Sequence, residues 1–290
     1  MKISDIIARG RVSFSCEIFP PKQDADIARI DEVIDGVAAL EPSFISVTYG
    51  ASGSTSKNTA MICEKILARG QTPIAHMTCL SSTRDEVKRY TDRLAEIGVE
   101  NVLALRGDRP QDRPEPLPNQ YRYASELVRE LSADGRFCIG GACYPDGHVE
   151  ARNKDEDLAH LKEKVDAGCS FLTTQMFFDN DVFYSFLYRA LRKDIRVPVF
   201  AGIMPVTRAS QFLRSVAYSG APMPPKLRSI LDKFGERPGA LRQAGIAYAT
   251  EQIVDLVANG CQGIHIYTMN RPEIAAEIFK NLSFIRKTKI

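Results

Sequence analysis

Apolar positions along this chain keep two rhythms in turn. In one, Ile27, Ile30, Ile34 and Val37 are spaced 3-4-3, as are Val87, Tyr90, Leu94 and Ile97, and the triplet Leu158, Leu161, Val165 follows the same rule. Val182, Phe183, Phe186 and Leu187 keep it too. That spacing places one apolar stripe on an α-helix. The other rhythm is a short run rich in β-branched or aromatic residues, the composition of a buried strand. Eight such runs stand at 12–18, 43–48, 73–78, 101–105, 137–143, 170–175, 197–201 and 263–267, with helical pattern between them. A glycine marks the join in ILARG-QTPIAHM, LAEIG-VENVLAL, KVDAG-CSFLTTQ and DLVANG-CQGIHIY. Gly70, Gly98, Gly168 and Gly260 thus sit where a helix end favours positive φ. Thr83-x-x-Glu86 reads as a capping box. Asn270-Arg-Pro-Glu273 reads as a second helix start, with Asn270 as N-cap.

Strict alternation of strand and helix implies parallel pairing with right-handed crossovers. Eight units in 290 residues predict a (β/α)8 TIM barrel, with a doubly wound open sheet as the alternative. Residues 216–238, carrying Pro222, Pro224, Pro225 and Pro238, read as an insertion before the last helix and strand. No Gly/Ser linker or shift of composition divides the chain, so residues 1–290 read as a single α/β domain.

Composition narrows the function. With 38 basic and 36 acidic residues, the net charge of +2 gives no reason to expect a nucleic-acid or acidic-membrane partner. MKISDIIARGR carries charges inside its short apolar stretch and does not read as a signal peptide. Seven scattered cysteines without a Cys-x-x-Cys predict reduced, buried thiols and a cytoplasmic location, not a disulfide framework or a zinc ribbon.

In a barrel of this kind chemistry gathers at the C-terminal ends of the strands. Those ends carry Glu17, Thr48-Tyr49, His76, Arg106-Gly107-Asp108, Tyr144 with His148, Gln175, and Tyr267 with Arg271. Any one of them has an ordinary reading. Glu17 is a solvated edge residue if its strand alternates toward water, Arg106 and Asp108 form a local ion pair, and His76 is a satisfied core histidine. Convergence of all of them on one rim is harder to explain that way. The apolar run VSFSC before Glu17 and Phe19-Pro20-Pro21 after it would shield the carboxyl and favour its protonated form, which a general acid needs. The four histidines show no i, i+3 or i, i+4 pair, so no metal site is expected. No Gly-x-Gly-x-x-Gly fingerprint, Walker loop, nucleophile elbow or His-Glu-x-x-His occurs. A dinucleotide would have to bind on barrel loops.

Taken in order, EIFPPK (17–22), VTYGA (47–51), AHMTC (75–79), LALRGDRP (103–110), YASEL (123–127), YPDGHVEA (144–151), LKEKVDAG (161–168), TTQMFFD (173–179), GIMPV (202–206) and HIYTMNR (265–271) resemble the methylenetetrahydrofolate reductases, in particular the bacterial type built of the catalytic barrel alone. The resemblance implies a TIM barrel holding FAD non-covalently. NADH or NADPH reduces the flavin and leaves, and 5,10-methylenetetrahydrofolate then enters the same cleft to become 5-methyltetrahydrofolate. Glu17 matches the glutamate that protonates the folate N10, Asp108 an aspartate near flavin and pterin, and Gln175 a residue that hydrogen-bonds pterin and nicotinamide. For FAD the matching positions are Thr48, Tyr49, Ala51, His76, Arg106, Gly107, Asp108, Ala124, Tyr144, His148, Ala151, Asp157 and Lys164. Arg271 matches a basic residue toward the folate. The resemblance also implies a role in one-carbon metabolism and methionine biosynthesis, and a homo-oligomer without a C-terminal regulatory domain. It leaves open an additional electron-transfer partner.

Two departures stand out. Ala209 occupies the place of an aromatic expected to pack on the folate, and His160 and Glu163 stand where an asparagine and a basic residue are expected. Glu163 cannot replace a cation against a diphosphate, and Lys162 or Lys164 is the expected compensation. The competing readings are a flavin-free barrel lyase or aldolase using Glu17 as acid–base, and a non-catalytic folate- or flavin-binding protein.

Overall fold

The computed structural model describes residues 1–21, 27–49, 55–80, 82–108 and 120–287. The elements run α1 (Ile3–Ile7), β1 (Ser13–Ile18), α2 (Ile27–Ala38), β2 (Phe44–Val47), α3 (Thr55–Ala68), β3 (Pro73–Thr78), α4 (Arg84–Glu96), β4 (Asn101–Leu105), α5 (Ala124–Asp134) and β5 (Cys138–Cys143). They continue as α6 (Lys154–Asp166), β6 (Phe171–Thr174), α7 (Asn180–Arg192), β7 (Val199–Ile203), α8 (Ala209–Ser219), α9 (Pro225–Phe234), α10 (Pro238–Ala258), β8 (Gly263–Tyr267) and α11 (Pro272–Asn281). Neighbouring strands pair in parallel, and β1 pairs with β8 to close the barrel. This is the (β/α)8 fold that the alternation predicts.

The helical stripes face inward as expected: Ile30, Ile34 and Val37, then Val87, Tyr90 and Leu94, then Leu158 and Leu161, then Phe183 and Phe186 are all buried. Gly70, Gly98, Gly168 and Gly260 all have positive φ. The capping box at α4 forms in both directions: Glu86 N–H donates to Thr83 Oγ1 at 3.3 Å and Thr83 N–H to Glu86 Oε2 at 2.7 Å.

Two expectations are corrected, at the seventh strand and at the start of α11. The seventh strand begins at Val199, not 197. Pro198 precedes it and has no amide hydrogen to give a ladder, although its carbonyl accepts from Leu172 N at 2.8 Å. The segment 216–238 is helical over much of its length, holding the end of α8 and all of α9. Phe212, Leu227 and Leu241 form a buried cluster there with Phe178 and Val206. At α11 the N-cap is Arg271, with Pro272 in the first turn and no capping side chain. Asn270 turns elsewhere, and Glu273 Oε1 pairs with Arg271 Nε at 3.0 Å.

Inside the barrel the fill changes from bottom to top. At the N-terminal end Phe44, Ile74, Leu103, Cys138, Phe171 and Phe200 pack together, and α1 plugs this end with Ile3 and Ile6. Phe44 and Phe171 each meet Phe200 edge to face, at 5.1 and 5.8 Å between centroids. Glycines make room for these rings: a Cβ on Gly140 would lie 2.4 Å from Phe171 Cζ, and one on Gly263 2.7 Å from Phe200 Cδ1. Two residues further along the strands the same face becomes polar.

Candidate active site

Strand alternation sets Ser15 and Glu17 of β1, Ser46 of β2, His76 of β3, and His265 and Tyr267 of β8 on the inner face. The register places Glu17 beside Ser46 on one side and Tyr267 on the other, with Ser15 beside His265. Glu17 Oε2 lies 3.4 Å from His265 Nε2 and 3.6 Å from His76 Nε2. The Glu17 side chain keeps 16% of its surface exposed, against 2% for His265 and 7% for His76. The carboxyl therefore opens to the barrel mouth while both imidazoles stay behind it.

Hydrogen bonding links this group. The Ser15 hydroxyl donates to the Ile264 carbonyl at 3.2 Å. It also hydrogen-bonds with His265 Nδ1, 2.8 Å away. The other ring nitrogen, Nε2, faces Glu17 Oε2. His76 Nε2 is bonded to Ser46 Oγ at 2.5 Å. Burial pulls the His76 pKa down to about 4, against the upward pull of Glu17 and with help from His265. His76 is thus neutral at pH 7.

The backbone around Glu17 is held as well. Thr268, nearly fully buried, donates from Oγ1 to the Glu17 carbonyl at 2.5 Å. Tyr267 Oη donates to the Thr174 carbonyl at 2.7 Å, just before Gln175. Gly202 leaves space for that ring, since a Cβ there would lie 2.8 Å from Tyr267 Cε2 and 2.5 Å from the Thr174 oxygen.

A second group forms at the ends of β4 and β5. Arg106 follows β4 and meets Glu150 in a bidentate pair, Nη1 to Oε2 and Nη2 to Oε1, each 2.7 Å. Gly107 has φ +82°, and a Cβ there would press on Thr78 Cβ at 2.8 Å, so this turn needs glycine. Tyr144 meets His148 edge to face at 4.7 Å, and Glu150 N–H donates to His148 Nδ1 at 3.1 Å. Burial raises the Tyr144 pKa to about 12, and burial followed by the nearby Arg106 charge lowers that of His148. On α6, burial raises Asp157 and lowers Lys164, whose Nζ donates to the Ala142 carbonyl at 2.5 Å. Gly141 lets that side chain pass: a Cβ would lie 2.9 Å from Lys164 Cδ.

The remaining expected positions spread around the rim. Asp108 is exposed beside Gly107, Ala124 opens α5, and Ala151 N–H donates to the His148 carbonyl at 3.0 Å. Gln175 Oε1 accepts from Met176 N–H at 2.9 Å. Arg271 Nη1 donates to Thr207 Oγ1 at 3.1 Å. Thr48 follows β2, and the Tyr49 ring packs on Tyr90 of α4 at 5.5 Å. Ala51 lies outside the described residues. Among the described residues no group of three His, Cys, Asp or Glu is arranged to hold a metal.

The two departures have definite places in the fold. His160 and Glu163 are exposed, with the His160 ring stacked on Tyr123 and its Nδ1 3.9 Å from Glu163 Oε2. Lys162 pairs with Asp166, which leaves Lys164 as the lysine of this stretch that turns inward. Ala209 packs at the edge of the Phe178–Phe212 cluster.

His265, Ser15, Ser46 and Glu150 were not singled out in the sequence. The alternations Ser13-Phe-Ser15-Cys-Glu17 and Gly263-Ile-His265-Ile-Tyr267 carried the signal for the first two. When helices cover the outer face of a strand, its polar alternate residues face the barrel interior and not water.

The sequence model of the family described as methylenetetrahydrofolate reductase matches residues 2–283. The chain belongs to the methylenetetrahydrofolate reductase family. It is 33% identical to "Methylenetetrahydrofolate reductase (NADH) 1" of Zea mays across its whole length, and spans about half of that relative, 51%. It is 32% identical to the "5,10-methylenetetrahydrofolate reductase" of Pectobacterium carotovorum subsp. carotovorum and to that of Escherichia coli, over 94% of this chain and 91% and 92% of theirs. Among solved structures, an uncharacterized protein from Clostridium thermocellum that binds two copies of 5-methyl-5,6,7,8-tetrahydrofolic acid shares the fold. It matches at TM-score 0.68 and 15% identity, over 99% of this chain and 100% of that one.

Proposed function

We propose that the protein reduces 5,10-methylenetetrahydrofolate to 5-methyltetrahydrofolate in a ping-pong reaction, with Glu17 as general acid. The observation that carries the reading is the Glu17 carboxyl at the barrel mouth, backed by two shielded imidazoles, in a chain of this family. Reduction adds a hydride at the methylene carbon and a proton at N10. Glu17 supplies that proton, with His265 Nε2 3.4 Å from the carboxyl as its neighbour. His76 stands neutral beside them.

FAD, when bound, would carry the hydride from NADH or NADPH to the folate. The residues on the β4–β5 side fit such a group. Arg106, the His148 loop and Lys164 supply donors, and Lys164 brings three N–H groups to a sheltered position with a carbonyl as partner. Gly107 allows close approach of a ligand to the backbone. Asp108 and Gln175, which follow β4 and β6, would meet the pterin, and Arg271, after β8, would meet the folate. The reading extends to a cytoplasmic homo-oligomer.

The test is an anaerobic visible spectrum of the purified protein. A yellow protein that bleaches with NADH or NADPH and recolours with 5,10-methylenetetrahydrofolate is the expected result, and it names the donor. A colourless protein that takes up no added FAD overturns the flavin reading.

A further inference from the structure

Asn270, which reads as a helix cap, is used differently. Its Oδ1 accepts from Phe19 N–H at 2.9 Å, and its Nδ2 donates to the Phe19 carbonyl at 2.8 Å. One carboxamide thus reproduces both halves of a strand pairing. It does so where the backbone of β8 can no longer pair, because Met269 and Asn270 both turn left-handed, at φ +54°. Non-glycine residues rarely adopt that conformation, and asparagine tolerates it best.

The other side of the contact explains why a clamp belongs here. Phe19 carries the last amide hydrogen before Pro20 and Pro21, so the chain leaving β1 cannot be pinned further on by its own amides through the two prolines. The regular β1–β8 register ends at Glu17 opposite Tyr267. Beyond it, Thr268 bonds the Glu17 carbonyl through both Oγ1, at 2.5 Å, and its amide, at 3.3 Å, and Asn270 then bonds Phe19. The backbone is therefore held at Glu17 itself and two residues after it, from a turn whose strain is offset by these contacts.

We infer that Asn270 is a positioning residue for the Glu17 carboxyl: its clamp on Phe19 stops the exit of β1 from pivoting and so sets where the acid stands at the barrel mouth. The inference rests on the reading of Glu17 as the acid.

Asn270→Gly and Asn270→Asp test it. The glycine keeps the left-handed turn and deletes the clamp. The aspartate keeps an acceptor for Phe19 N–H but sets a carboxylate oxygen against the Phe19 carbonyl. Rapid-reaction kinetics would follow flavin reduction by the nucleotide and reoxidation by 5,10-methylenetetrahydrofolate separately, the latter across pH. Both variants are expected to slow the folate half-reaction by about 10²-fold, the cost of misplacing a group by about 1 Å. Its pH profile should shift, while flavin reduction stays within about twofold. A full-rate folate half-reaction in soluble Asn270→Gly overturns the inference, as does an equal fall in both half-reactions, which marks a merely structural role. Glu17→Gln run in parallel separates the two failures. If Glu17→Gln reoxidises at full rate, the acid reading itself fails. If Glu17→Gln is inert and Asn270→Gly is not, only the positioning role fails.

Discussion

At the bottom of the barrel Phe44, Phe171 and Phe200 fill the interior ring against ring; two residues later on the same strands Ser46, Thr173 and Gly202 face the same interior. The lower layer is apolar, shape-matched by Gly140 and Gly263, and sealed by α1. The upper layer holds a carboxyl, two imidazoles, two serines and a tyrosine whose hydrogen bonds are mostly to one another or to strand carbonyls. One strand can build both layers because its inner face repeats every second residue. The difference teaches that the barrel separates stability from chemistry along its axis, and that the buried polar layer is tolerable because the apolar layer below carries the packing.

The largest test of that separation is Glu17→Gln. Folate reduction should fall by about 10²- to 10⁴-fold, the usual value of a general acid. Reduction by NADH or NADPH should persist, because that step needs no proton at N10. Normal rates in both half-reactions would remove Glu17 from the mechanism.

In the lower layer, Phe200→Ala should destabilise the fold by about 3–5 kcal/mol in denaturant unfolding. The folded fraction should keep its half-reaction rates. A selective loss of the folate step would show that the two layers are not separable.

The upper layer also predicts a pH signature. His76 binds a proton at a pKa of about 4 when folded and near its ordinary 6.5 when unfolded. Between those values the unfolded state holds more protons, so stability rises with pH and is lost as pH falls from 6.5 toward 4. The full difference is of order 3 kcal/mol. His76→Gln should flatten this part of the stability–pH curve, and an unchanged slope would mean that His76 is not the buried group responsible.

The smallest change is Ser15→Ala, which removes the hydrogen bond at His265 Nδ1. Losing that one hydrogen bond should slow the folate step by about tenfold at most. An unaltered rate and pH profile would show that the Ser15–His265 contact does not matter to the acid.

Much of this organisation was legible in the chain. The positive-φ glycines and apolar stripes place the helices, and Glu17, His76, Arg106, Tyr144, His148 and Gln175 stand at strand ends as the punctuation implies. What was misread is equally specific. Asn270 looked like a cap because its neighbours fit that pattern, yet its carboxamide found Phe19, 251 positions away. Glu150 drew no notice in the sequence, and only the fold brings it to Arg106, 44 positions earlier. Glu163, singled out for its bearing on anion binding, is exposed on α6 beside His160.

Periodicity, glycine placement and proline placement act over a few residues, so the sequence by itself determined the eight strand–helix units, their parallel sense and the list of polar strand ends. Which of those ends touch is a matter of register around a closed ring. Only closure of β1 onto β8 could bring Ser15 and Glu17 against His265, about 250 positions away, turn a solvent-facing alternation inward, and pin the exit of β1 with Thr268 and Asn270. Those contacts are decided by long-range pairing and burial, for which no short stretch of the chain carries the information.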